Sequence, residues 1–173
     1  TCDTRTCGYC ARVRAAGWRH ALTAALARAA RPRMITFGVR YGADDLDVAG
    51  IRRRVLGLKA AWARAYEKVI RPACGAAVMA IEVSPAGYVH VHAVVPGWVD
   101  VGPLRASVVH TLGEGARMLR ISPLKGKPAE AAAEVAKYLV KAPRYGKRYG
   151  RRTHPDLAAR VEVACARIRL IEG

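Results

Sequence analysis

The chain has 173 residues, with 30 Lys and Arg against 13 Asp and Glu, for a formal charge of +17 at pH 7. Such an excess costs self-repulsion in a compact state and points to a polyanionic partner, either nucleic acid or an anionic membrane surface. No stretch approaches the roughly 18 uncharged apolar residues of a membrane span, and a hydrophobic fraction of 52%, much of it alanine, excludes a wholly disordered chain. The length suits one compact domain with a small appendage. Beginning at Thr1 without a basic-then-apolar leader, the sequence reads as an excerpt of a longer cytoplasmic protein with no secretion signal.

The opening residues TCDTRTCGYC place Cys2, Cys7 and Cys10 at C-x4-C-x2-C spacing. Reduced thiolates this close together chelate a tetrahedral metal more readily than they form a strain-free disulfide, so a structural Zn2+ in a cysteine-rich knuckle is expected. One ligand is missing from the set. His20, Cys74, Cys165 and a residue upstream of Thr1 are the candidates.

From Ala11 to Arg31 the alanine-rich, arginine-studded sequence predicts a helix with a basic side, ended by Pro32. MITFGVR, 34 to 40, reads as a strand. Asp44, Asp45 and Asp47 then offer an N-cap to a helix from about Leu46 to Ile70, with Leu46, Val48, Ile51, Val55, Leu56, Leu58 and Trp62 as apolar positions and Pro72 and Gly75 closing it. Two strands, 76 to 84 and 88 to 95, meet at Pro85-Ala86-Gly87. A helix over 103 to 112, a strand over 117 to 122 and a helix over 128 to 141 follow.

This order, β-α-β-β-α-β and a further helix, predicts an α+β fold. Its core is the split βαβ (ferredoxin-like) arrangement, an antiparallel sheet with helices on one face. Three regions are expected: knuckle and basic helix (1–33), core (34–152) and C-terminal helix (153–173).

His90 and His92 are two residues apart on a strand, so both imidazoles leave the same face. A turn centred on Ala86 pairs positions whose numbers sum to about 172, which sets Glu82 opposite His90. Three metal-competent groups then share one face, and Val83, Val89 and Val91 supply an apolar opposite face. Asp44, Asp45, Asp47 and His110 are alternative third ligands.

On the last core helix, Glu134, Tyr138 and Lys141 stand at i, i+4 and i+7 on one stripe. Tyrosine is a poor nucleophile at its ordinary pKa of about 10, and a nearby ammonium is what would stabilise the phenolate. Beyond it, APRYGKRYGRR (142 to 152) interleaves tyrosines with basic residues, a composition suited to tracking a single strand.

Together, GYVHVHAVV and AEVAKYLVK resemble the paired-histidine strand and the Tyr-x-x-Lys nucleophile helix of HUH endonucleases. The lysine before the tyrosine and the upstream glutamate look most like those of rolling-circle replication initiators of bacterial plasmids. The resemblance spans about residues 2 to 145.

The resemblance implies a nickase and ligase for single-stranded DNA that forms a 5′-phosphotyrosine and frees a 3′-hydroxyl primer. His90 and His92 would bind a divalent ion, Mn2+ or Mg2+, with Glu82 as third ligand. Tyr138 would be the nucleophile, assisted by Lys141, and Glu134 would serve the terminating cleavage. Lys137, Arg144, Lys147, Arg148, Arg151 and Arg152 would contact DNA. The expected partner is single-stranded DNA or a hairpin or cruciform origin, with a host helicase and polymerase beside it and no membrane. A transposase or relaxase with the same chemistry, or a non-catalytic zinc-containing nucleic-acid-binding module, are the competing readings.

Overall fold

In the computed structural model, the described residues are 8–39, 46–84, 88–113, 116, 119–140, 160 and 171–172. The elements run α1 (Gly8–Ala27), β1 (Arg33–Gly38), α2 (Val48–Ala65), a π-helical turn (Tyr66–Ile70), α3 (Arg71–Cys74), β2 (Val78–Val83), β3 (Val89–Val95), α4 (Val101–Leu112), β4 (Arg120–Pro123), α5 (Pro128–Val140) and β5 (Ile171–Glu172). The strands form one sheet in the order β4-β1-β3-β2-β5, and every pair is antiparallel. The chain is therefore α+β, and its first four strands have the expected split βαβ order.

Local chemistry explains the helix ends. Asp47 caps α2 by accepting from the Gly50 N–H at 2.6 Å, which satisfies one of the donors a helix start leaves open. Asp100 does the same for α4 through Gly102 N–H at 3.0 Å, so α4 begins two residues before the expected 103. At α5, Glu130 reaches back to accept from Lys127 N–H at 3.1 Å, the reciprocal half of a capping box.

Pro72 does not end the second helix as expected. The chain widens into the π-helical turn, and Pro72 sits in the first turn of α3. A proline ring clashes with the carbonyl four residues earlier and offers no N–H to it, and a wider turn relieves both problems. Gly75, at φ 77°, then closes the segment in a conformation that L side chains rarely adopt. Tyr66 ties the turn down by stacking on Trp62 and donating from its hydroxyl to the Gly75 carbonyl at 3.2 Å.

One face of the sheet is a continuous apolar layer. Ile35, Phe37, Met79, Ile81, Val83, Val89, Val91, Ala93 and Val95 pack there against Ile51, Val55, Leu58 and Trp62 of α2 and Leu104 and Val108 of α4. Each fully buried aliphatic or aromatic side chain contributes about 1.5–3 kcal/mol relative to exposure. Leu56, expected in this core, is 45% exposed, and Ala61 and Ala65 are buried instead.

Helices cover both faces, which corrects the expectation of a single covered face. Leu22 and Leu26 of α1 and Ala131, Ala132 and Val135 of α5 form a second cluster with Ala80 and Val94 on the opposite side. The even-numbered positions of β2 and β3 divide into an apolar end and a polar end. Val78, Ala80 and Val94 are apolar and accept the helix pair, whereas Glu82, His90 and His92 are polar.

Further boundaries shift: α1 runs from Gly8 to Ala27 rather than from Ala11 to Arg31, so it stops short of Pro32. β4 occupies 120–123 rather than 117–122. A terminal helix does not run to residue 173, because Ile171 and Glu172 pair with Ala80 and Met79 at the sheet edge. Within 153–170 only Arg160 is described. It is helical, and its guanidinium donates to the Leu46 carbonyl at 3.3 Å.

Candidate metal centre

The β2–β3 register pairs Glu82 with His90 and Ala80 with His92. This is the pairing expected from a turn centred on Ala86, with position numbers summing to 172. The pleat then sends Glu82, His90 and His92 to one face, while Val83, Val89 and Val91 enter the opposite apolar layer. On the other side of β3, β1 sets Thr36 against His92 and Gly38 against His90.

Glu82 Oε2 lies 3.1 Å from His90 Nε2 and 3.0 Å from His92 Nε2. The two rings meet edge to face with centroids 4.7 Å apart. Thr36 Oγ1 is 3.2 Å from His92 Nδ1. Side-chain exposure is 8% for Glu82, 10% for His92 and 18% for His90, so the site opens on the His90 side.

One ligand atom from each of the three residues lies within 4.8 Å of the others. Two imidazoles and a carboxylate form a borderline donor set suited to divalent first-row ions. Ligands about 2.1 Å from one ion and at right angles around it stand about 3.0 Å apart. The two separations involving Glu82 match that spacing. A small displacement therefore converts the hydrogen-bonded group into a chelating one, and the residues fit a divalent cation.

The remaining expected site residues divide by position. Asp47 is committed to capping α2, and His110 is exposed on α4, which packs on the opposite face of the sheet. Neither joins the cluster. Asp44 and Asp45 lie outside the described residues. Glu134 is exposed on α5, and Lys137 and Tyr138 lie within the α5 backbone. Lys141, Arg144, Lys147, Arg148, Arg151 and Arg152 lie outside the described residues.

Of the cysteine set, Cys10 is in the first turns of α1 and 1% exposed, while Cys2, Cys7 and Cys165 lie outside the described residues. Among the candidates for a fourth ligand, His20 is exposed on α1. Cys74 closes α3, and its thiol donates to the Trp98 carbonyl at 3.4 Å. Burial pushes that thiol up from its ordinary value, partly offset by a backbone hydrogen bond from Gly97.

Thr36 and Gly38 were not identifiable as site residues from the sequence. Their place beside the histidines depends on β1 pairing with β3, a contact between segments more than 50 residues apart. Among the described residues, no helix is long and apolar enough to cross a membrane. The chain matches no protein-family profile, no curated protein and no solved structure.

Proposed function

We propose that the protein is a metal-dependent single-stranded DNA nickase and ligase with a tyrosine nucleophile, of the HUH type, acting as a rolling-circle replication initiator. The observation that carries this reading is the Glu82, His90 and His92 cluster on the sheet face against which α5 packs. That helix carries Tyr138 in the sequence context AKYLVK. The charge of +17 supports a nucleic-acid substrate.

Glu82, His90 and His92 would hold the cation. When bound, it supplies Lewis-acid polarisation of a non-bridging oxygen of the scissile phosphate. The Tyr138 phenol gives up its proton, its oxygen attacks phosphorus in line as the bond to the 3′-oxygen breaks, and the leaving 3′-oxygen takes up a proton. The products are a 5′-phosphotyrosine and a free 3′-hydroxyl. Lys141 stabilises the phenolate, and Glu134 accepts the proton of the hydroxyl that attacks in the terminating step. One phosphodiester replaces another, so rejoining needs no nucleotide cofactor. The strand would need to be unpaired at the cut for Tyr138 to reach a phosphate held at the Glu82, His90 and His92 centre.

A structural Zn2+ on Cys2, Cys7 and Cys10 belongs to the same proposal, anchoring the start of α1. The buried position of Cys10 supports it.

The test is to incubate the protein with labelled single-stranded oligonucleotides and Mn2+ and to look for a covalent adduct on a denaturing gel. An adduct mapping to Tyr138 supports the proposal. Mn2+ binding with DNA binding but no adduct on any strand would overturn it in favour of a non-catalytic module.

A further inference from the structure

We infer that Thr36 is a positioning residue that selects which ring nitrogen of His92 faces the cation, an inference that rests on the metal-centre reading above. Thr36 stands directly across from His92 in the β1–β3 ladder, with Oγ1 3.2 Å from Nδ1. The other ring nitrogen, Nε2, is 3.0 Å from Glu82 Oε2. Both nitrogens thus have protein partners, on a side chain only 10% exposed, where water is a poor substitute.

A hydroxyl is both donor and acceptor, and its hydrogen rotates to suit its neighbour. A neutral His92 ring that donates from Nε2–H to Glu82 presents its Nδ1 lone pair to the Thr36 hydroxyl, which then donates. With a cation on Nε2, that nitrogen must present its lone pair, so the ring proton resides on Nδ1 and Thr36 Oγ1 accepts it. The net change is one proton moved from Nε2 to Nδ1 and one hydroxyl rotation. Threonine can partner both states, but the bond it accepts from the Nδ1–H of a cation-polarised ring is the stronger of the two, so its net effect favours the loaded state.

The contrast with His90 follows the same ladder. Its β1 partner is Gly38, which offers no side chain. His92 is the oriented ligand and His90 the more accessible one, in line with their exposures.

Thr36→Val keeps the shape and removes the hydroxyl, and Thr36→Ser keeps the hydroxyl. Titration with Mn2+ and with Co2+, followed by calorimetry and by the cobalt absorption bands, should show affinity lowered about 10- to 100-fold in Thr36→Val, the usual effect of losing such a partner. Thr36→Ser should restore most of it. In nitrogen-15 spectra of the Zn2+-loaded unsubstituted protein, the His92 ring proton should sit on Nδ1. Unchanged affinity in Thr36→Val, or a ring proton on Nε2 in the loaded protein, overturns the inference alone. Failure of the unsubstituted protein to bind any of these ions overturns the metal-centre reading and this inference with it. Should Thr36→Val not fold, the spectra of the unsubstituted protein still decide the question.

Discussion

Gly38 faces His90 across the β1–β3 ladder so closely that a Cβ at Gly38 would lie 3.0 Å from both the His90 Cβ and the Val89 carbonyl oxygen. The absence of a side chain at this position lets β1 and β3 pair while His90 keeps its orientation toward Glu82.

Gly38→Ala should therefore disturb the centre from outside it. Because one obstructing atom is backbone, relief requires the strands to move, and overpacking of this kind costs about 1–3 kcal/mol. Urea unfolding should show that loss, and metal titration should show a parallel fall in affinity. Unchanged stability would mean that the strands separate there without strain.

Metal addition should stabilise the fold, since the ligands come together only in the folded chain. At free Mn2+ 100 times its dissociation constant the gain is about 2.7 kcal/mol, visible as a higher unfolding midpoint that chelator reverses. His92→Ala and Glu82→Gln should abolish the gain. A midpoint that rises equally in His92→Ala would place the bound ion elsewhere.

Tyr138→Phe should eliminate the covalent DNA adduct while leaving DNA binding and stability in place, because one oxygen is lost and little volume. Lys141→Ala should slow adduct formation without abolishing it, as removal of a charge stabiliser would. Glu134→Ala should spare the first cut and impair the second. Peptide mapping that finds the phosphotyrosine at Tyr145 or Tyr149 would refute the nucleophile assignment.

Single-strand binding should weaken steeply with salt, with a logarithmic slope of about −0.7 per neutralised phosphate. Replacing Arg148, Arg151 and Arg152 by Ala should flatten the slope measured by fluorescence anisotropy. An unchanged slope would remove this segment from the DNA path.

Protein purified without chelator should contain near-stoichiometric zinc held by Cys2, Cys7 and Cys10, and Cys10→Ser should lose it and destabilise α1. Elemental analysis together with native-state alkylation checks this. Zinc-free protein whose Cys2 and Cys7 alkylate freely would rule it out.

What the sequence determined by itself is local. The hairpin register followed from turn position and a side-chain period of two, so the shared face of Glu82, His90 and His92 was legible before any fold was known. The start of α5 at Pro128 was legible for the same reason, and so was an aspartate cap for α2, although the cap is Asp47 and the helix begins at Val48 rather than at about Leu46. Tertiary structure decided what depends on distant segments. Thr36 and Gly38 become neighbours of the histidines only because β1 inserts between β3 and β4. The second helix layer exists because Val78, Ala80 and Val94 give the polar face an apolar end on which α1 and α5 dock. Side-chain alternation specifies which face a residue takes, but what covers that face is set by the pairing of elements remote in sequence.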